Sequence, residues 1–518
     1  MAPSGPYAVL DKKIPFFRII FDSGFITQDI LNHRYEGAGT DSQPYLVTWL
    51  TDDPRDPMQF RPATQWALNV LATLGTFVVS LCSSAYSAGL TDITQDFDIS
   101  EEVALLGSSL FVLGWAIGPL LWGALSEAYG RRSIMLASGV FLTAFTAGSA
   151  AASTIVGVLV LQFLAGTFGS ASVSVPAGVV ADVFPPLTRG VAMGFYASIP
   201  FLVFVGPIIG AVIDVQGGWR WIQGAMAIIS GFTTLAMFWL LPETYAPVLL
   251  ARRANRLTRA TGRVYRSATA TRQSVDLRDL LLRPWGMLFR EPIVLLLALY
   301  VGIIFGLLYM SFAAYPIVFQ QIRGWNAIDT GLSYFGMLVG VLVAVPHVYI
   351  SQSRYAKMLA CQESARLPPE VRLLDSFLAT IALPVGLFWF AWTIVPVSLP
   401  WVVPLLGSVL VGYSQLMISI TCYNYLLDSY TIFAASVMAD CNILFSVFSA
   451  AFPLFTTQMY ESLGPRWAAS VPAFLSLACA PIPFLLYRYG ALIRARCAYA
   501  VEAAAHLDRV DGVPVGEI

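Results

Sequence analysis

Charge is scarce in this chain. Asp, Glu, Lys and Arg together make up 12% of its 518 residues, against about a quarter in soluble domains. So few charges cannot wet the surface of a globule this long, and a set of two or three soluble domains is excluded. Formal net charge is −1, which removes the electrostatic case for a nucleic-acid partner. Histidine is nearly missing, with three residues and no H-x-x-x-H spacing, so no zinc site is expected. The six cysteines show no C-x-x-C spacing and mostly lie in apolar runs; they read as reduced small hydrophobes rather than as a disulfide or metal framework. No N-x-S/T acceptor occurs, and residues 1–64 are polar with mixed charge, so no cleavable signal peptide is expected and insertion begins with the first internal apolar helix. No nucleophile–base pairing emerges that would point to an enzyme, and no cofactor is implied.

What the chain does have is long apolar runs, since 57% of it is hydrophobic. A bilayer core of about 30 Å needs about 20 apolar residues as helix. Twelve stretches qualify: about 65–89, 103–123, 133–152, 154–178, 190–213, 220–241, 292–319, 327–350, 373–395, 399–423, 431–456 and 466–488. The tenth and eleventh are the least cleanly separated. Lys and Arg stay on the cytosolic side of a membrane. Loops after even-numbered spans hold seventeen, ten of them between Arg252 and Arg290, and loops after odd-numbered spans hold only Arg220, Arg323 and Arg466. Both termini are therefore expected in the cytosol. The chain divides into a cytosolic segment 1–64, a six-helix bundle 65–241, a basic linker 242–291, a second bundle 292–488 and a cytosolic tail 489–518. This predicts an all-α membrane protein whose two bundles rock against each other. The linker reads as a tether resting on anionic headgroups.

The turn between the second and third spans, "GPLLWGALSEAYGRRSIML" (118–136), packs Glu127, Arg131 and Arg132 into six positions. Gly123 is expected to end one helix, and Gly130 to let the chain turn into the next. Glu127 is suited to receive a helix N-terminus, and Arg131 to offer its planar fork to a carboxylate. A pair of this kind, holding the bundles together by about 1–3 kcal/mol, is breakable enough for a switch. Plain positive-inside anchoring would place arginines here as well.

"GALSEAYGRR" (123–132) resembles the signature loop of the major facilitator superfamily. In chain order, "VTWLTDDPRDPMQF" (47–60), "LPETYAPVLLARRANRLTRATG" (241–262), "EPIVLLLALYVGIIFGLLYMSFAAYPIVF" (291–319), "PPEVRLL" (368–374), "PVGLFWFAWT" (384–393), "LLDSY" (426–430) and "FPLFTTQMYESLG" (452–464) resemble its fungal drug:proton antiporter branch with twelve spans. The resemblance implies the major facilitator fold, alternating access between membrane faces, and export of small organic molecules against protons by a single chain in the cell membrane. It supports the Glu127–Arg131 latch, with Asp182 in "GVVADVF" as a candidate partner carboxylate or a solvated loop acid. The fifth-span Gly206, Pro207 and Gly210 resemble the antiporter motif, although alanine stands at 211 where the motif has glycine.

Two arginines of the family pattern are missing. Gln162 stands at the fourth-span position and Phe445 at the eleventh-span one. Gln162 can hydrogen-bond but carries no charge. Asp440, the one acid placed deep within a predicted span, is then the candidate proton carrier, or a neutral hydrogen-bonded acid; His347 reads as structural. In this fold the cavity is lined mainly by spans one, four, seven and ten. The candidates there are Asn69, Thr73 and Ser80 on one face of the first span, Gln162, then Tyr300 and Tyr309, then Gln415, Ser419 and Tyr423. Serine and threonine also serve helix packing, so for the first span both readings stand. Aromatic walls with hydroxyls and amides suit amphipathic organic substrates. A facilitative carrier without proton coupling, and a transporter-derived sensor signalling through the linker, are the other readings.

Overall fold

The computed structural model describes residues 16–268, 277–361, 367–395 and 397–510. Arg272 and Arg366, counted above as basic-side arginines, lie outside the described residues, as do parts of the N-terminal segment, the linker and the tail. Among the described residues, twelve helices are long and apolar enough to cross a membrane. The first six are Pro62–Phe97, Glu101–Tyr129, Arg131–Ala151, Ile155–Val183, Thr188–Gly217 and Trp219–Leu240. The second six are Pro292–Ile322, Ala327–Leu359, Pro369–Thr393, Val402–Ser429, Thr431–Leu454 and Thr456–Arg494. Helices suit a segment without water around it because most of their backbone groups bond within the segment. The first and twelfth run several residues beyond the hydrophobic stretches that announced them. The tenth and eleventh part at Tyr430. Fifth and sixth join almost without a loop at Gly218, whose φ of 74° is a left-handed turn.

The helices form two bundles. In the first, the continuous stretch Val205–Leu240, which holds the end of the fifth span and all of the sixth, packs on the first and third, and the second and third pack on the fourth. In the second, the seventh packs on the eleventh and the tenth on the eighth and ninth. The bundles meet along two seams, second against eleventh and fifth against eighth. Large apolar side chains such as Phe232, Trp221 and Phe474 face outward, the surface a protein in lipid presents.

Proline inside a helix leaves the carbonyl four residues earlier without its N–H partner. Two such carbonyls are rescued from the first span. Pro207 frees Val203, whose oxygen receives Ser84 Oγ at 2.7 Å. Pro176 frees Ser172, whose oxygen receives Thr76 Oγ1 at 2.6 Å. These hydroxyls fasten the first span to the fourth and fifth.

The N-terminal segment and the linker fold together. Strand Tyr45–Val47 pairs in parallel with strand Tyr265–Ser267, and helix Ala246–Thr261 closes a small apolar core with Ile26, Ile30, Tyr35 and Val47. Arg253 of that helix makes a two-pronged ion pair with Asp53, at 2.5 and 3.1 Å, with both side chains buried. The segments 1–64 and 242–291, separate units in the sequence reading, thus contribute to one folded module. It sits at the end of the bundles that carries both described chain ends and the arginine-rich turns.

Candidate functional site

The second helix runs unbroken through Gly123 to Tyr129, so Gly123 does not end it; a methyl group there meets nothing within 4 Å. Gly130 makes the turn, with φ 97° and ψ 153°, a region that L side chains rarely enter. A Cβ on Gly130 would overlap Glu243 Oε2. That carboxylate sits on the N-terminus of the third helix, receiving the backbone N–H of Arg131 at 2.9 Å and of Arg132 at 3.3 Å. It also receives the N–H groups of Thr244 and Tyr245, each at 3.0 Å. An acid so placed satisfies orphan donors and complements the helix dipole. The role expected of Glu127 therefore belongs to Glu243. Glu127 is exposed and makes no hydrogen bond among the described residues.

Arg131 turns to Asp182, with Nε 3.2 Å from Oδ2. Its Nη1 donates to Ser126 Oγ at 2.6 Å, and its guanidinium lies 4.6 Å from the centre of the Tyr245 ring. Gly178 gives it room, since a methyl group there would fall 2.7 Å from Arg131 Cζ. Arg132 donates to the Phe238 carbonyl at 2.8 Å and rests over Phe21. The partners of Arg131 are on the first bundle and the start of the linker, none of them on the second bundle. The expectation of a Glu127–Arg131 pair spanning the two bundles is corrected: the ion pair is Arg131–Asp182, and it ties the third helix to the fourth. Asp53, Arg55 and Arg253, beneath this turn, were not singled out in the sequence. Burial pushes the Arg55 guanidinium down to about 10, opposed by the nearby Glu243 carboxylate.

Contacts between bundles lie elsewhere. Tyr309 of the seventh span shares a hydrogen bond with Ser83 of the first, at 3.0 Å. Gly190 and Gly194 of the fifth pack against Gln352 and Val348 of the eighth. Gly206 and Gly210 let the fifth span close on Ser84, Ala85 and Ala88 of the first. On its other side Pro207 and Ala211 meet Gly331 at the start of the eighth, where a methyl group would lie 2.7 Å from Ala211 Cβ. A run of rings crosses the middle of the junction: Phe201 to Phe305 at 5.1 Å, Phe305 to Phe445 at 4.4 Å, and Phe445 to Trp115 at 5.7 Å between centroids. It joins the fifth, seventh, eleventh and second spans.

The candidate cavity residues divide into three groups. Asn69, Thr73 and Ser80 are engaged in packing: Asn69 reaches the Ala192 carbonyl at 3.3 Å, Thr73 the Asn69 carbonyl at 2.5 Å, and Ser80 the Thr76 carbonyl at 3.0 Å. Gln162 donates to Ser149 of the third span at 3.3 Å, inside the first bundle, and Tyr300 lies beside Thr380 and Cys422, inside the second. Each of these five has a partner within its own bundle. Tyr309 and half-buried Tyr423, which neighbours Tyr196 of the fifth span, are at the junction. The third group is unpaired: Gln415, Ser419 and Asp440 are fully enclosed, and their side-chain oxygens and nitrogen have no hydrogen-bond partner among the described residues, nor has Trp115 Nε1. Buried polar groups without partners are rare in folded proteins.

Comparison with known proteins decides the family. The Major Facilitator Superfamily profile matches residues 72–439. The multidrug transporter mdrA of Aspergillus fumigatus is 47% identical over 97% of this chain and 83% of its own length. The efflux pump FUB11 of Gibberella moniliformis is 43% identical over 96% and 85%. The chain belongs to the major facilitator superfamily. Its fold matches the solved proton:xylose symporter XylE with a TM-score of 0.57 at 14% identity, over 83% of this chain and 96% of that one. As a major facilitator it is a multi-pass membrane transporter and not an enzyme.

The six-plus-six plan of this superfamily also exposes a feature that sequence reading passed over. Arg372 opens the ninth span as Arg131 opens the third, and Asp428 closes the tenth as Asp182 closes the fourth. The two are paired at 2.8 Å, with Tyr355 under the guanidinium and Gln352 accepting from Nη1 at 2.9 Å. The stretches "PPEVRLL" and "LLDSY" held the signal, but only aligning one half of the chain with the other would have raised it.

Proposed function

We propose that the protein exports small amphipathic organic compounds across the cell membrane by alternating access, with protons entering as substrate leaves. The observation that carries this reading is the aromatic seam of Phe201, Phe305, Phe445 and Trp115 at the junction of the bundles. Rings offer broad apolar contact and little directional selection, which suits varied amphipathic molecules. The multidrug transporter and efflux pump among its relatives support the outward direction. The Lys and Arg bias of the loops supports cytosolic termini, and one chain suffices for the fold. Asp440 is the proton carrier in this scheme. It is enclosed and unpaired, and an acid in that setting has a reason to be neutral in one conformation and ionised in another. The Arg131–Asp182 pair with its Glu243 cap stabilises one of the two conformations.

The competing reading is a facilitative carrier. It is favoured by Gln162 and Phe445, uncharged residues where the superfamily branch uses arginine. Expression in a pump-depleted yeast separates the two. Lower retention of lipophilic dyes that a protonophore reverses, beyond an empty-vector control, is the expected result, and Asp440→Asn should reach the membrane yet lose pH-driven efflux. Efflux indifferent to the protonophore selects the facilitative carrier. Wild-type pH dependence in Asp440→Asn removes that residue from the mechanism.

A further inference from the structure

Through one short stretch, residues 53–58, the module of N-terminal segment and linker reaches the backbone beside both halves of the Arg131–Asp182 pair, each time by way of one intermediate residue, Glu243 or Gln65. On the arginine side, Arg55 Nη2 donates to the Glu243 carbonyl at 2.7 Å, and the carboxylate of the same Glu243 holds the N-terminus of the third span. On the aspartate side, Gln65 Nε2 bridges the Met58 carbonyl at 3.1 Å and the Val183 carbonyl at 3.0 Å, one residue beyond Asp182. The stretch itself is pinned by Asp53, whose carboxylate takes the Arg253 fork and the Arg55 backbone N–H. Arg253 in turn lies 4.9 Å from the centre of the Trp49 ring. Arg55 is 1% exposed, and its Nε and Nη1 have no hydrogen-bond partner among the described residues. A buried cation with two unpartnered nitrogens is a poor choice for stability alone.

We propose that residues 53–58 are a brace that sets the register of the Arg131–Asp182 pair, with Arg55 and Asp53 as positioning residues for transport. The geometry gives the brace a direction of action. Glu243 is held at its carbonyl by Arg55 and at its carboxylate by the third helix, so a shift of the linker displaces the cap, and with it the backbone from which Arg131 reaches Asp182. The second bundle's Arg372–Asp428 pair lies on the other half of the chain, away from residues 53–58, so the two halves are braced unequally. The proposal rests on the exporter reading for its transport consequence, but not for its structural one.

Two readouts test it in the full-length protein. Hydrogen exchange of the purified protein, compared between wild type and Arg55→Met, is expected to rise about tenfold over residues 130–134, the cost of losing one hydrogen bond from a charged donor. Peptides of the seventh to twelfth spans should be unchanged. Arg55→Lys, which keeps the charge and one donor, guards against misfolding and should fall between the two. In the dye assay, Arg55→Met should slow efflux with little change in the half-saturating concentration. Asp182→Asn combined with Arg55→Met should be no slower than Asp182→Asn alone, because both act through one pair. Losses that multiply, or exchange at 130–134 that stays at the wild-type level, overturn the brace. Absence of efflux in wild type with raised exchange in Arg55→Met would count against the exporter reading while leaving the structural brace standing.

Discussion

Gly130 and Gly123 belong to the same signature loop, yet the structure separates them, and alanine at each position measures the difference. At Gly130 two costs combine. Its φ of 97° and ψ of 153° lie in a region that is essentially glycine-only, at about 1–3 kcal/mol for another residue. A methyl group there also overlaps Glu243 Oε2, so the carboxylate must leave the third helix, and loss of an N-cap costs about 0.5–2 kcal/mol. Together Gly130→Ala should cost about 1.5–5 kcal/mol, which corresponds to about tenfold or more in an equilibrium at about 1.4 kcal/mol per factor of ten. At Gly123 the helix is continuous and the space is open, so Gly123→Ala should be neutral or stabilise by about 0.5–1 kcal/mol. The assay is thermal inactivation of each purified variant in one detergent at one heating rate, since unfolding of a protein this size is governed by rate as well as equilibrium. Gly130→Ala should inactivate several degrees below wild type and Gly123→Ala at or above it. Equal behaviour of the two variants would refute the steric argument for the loop and leave the Glu243 cap without its supposed importance.

Other substitutions probe the joints between helices. Ser84→Ala removes the hydroxyl donor from the Val203 carbonyl, leaving it the Val205 N–H alone, and should destabilise by about 0.5–1.5 kcal/mol; adding Pro207→Ala offers that carbonyl a further N–H, so the double variant should recover part of the loss in the same thermal assay, and no recovery would mean the hydroxyl acts otherwise. Tyr309→Phe removes the one hydroxyl pair described between the first and seventh spans. It should shift the balance of conformations by about 1 kcal/mol, visible as changed accessibility of a cysteine introduced at the junction; unchanged accessibility would assign Tyr309 to packing alone.

The architecture was legible because apolar length is a large signal: twelve runs survive errors of several residues at each end. Pairings were less legible, for a physical reason. Glu127 is near Arg131 in sequence, but on a continuous helix ending at Tyr129 its side chain points outward. The acid that reaches the turn, Glu243, arrives from beyond the sixth span. The first-span hydroxyls illustrate a second limit. Their periodicity located one face correctly, but periodicity cannot say whether that face meets a cavity or the carbonyl freed by a distant proline. Pro176 and Pro207 were both visible, and counting back four residues from each would have identified the carbonyls in need of donors. Phe445 was noticed as a missing arginine; its place among rings depends on Trp115 and Phe305, which no local pattern links to it.

The pairing of Asp53 with Arg253 also fixes an order of events during synthesis. The acid leaves the ribosome before the first span, and its partner emerges only after the sixth. For that whole interval the N-terminal segment has no core to join and must wait, soluble, beside a membrane filling with helices. When the helix Ala246–Thr261 appears, a strand, an ion pair and an apolar cluster form together across some 200 residues of intervening chain, a closure whose entropic cost grows only slowly with that length. Closing it fastens residues on either side of the first bundle, before any of the second has been made. The first half of the transporter can thus be finished and sealed as a unit while the second is still being translated.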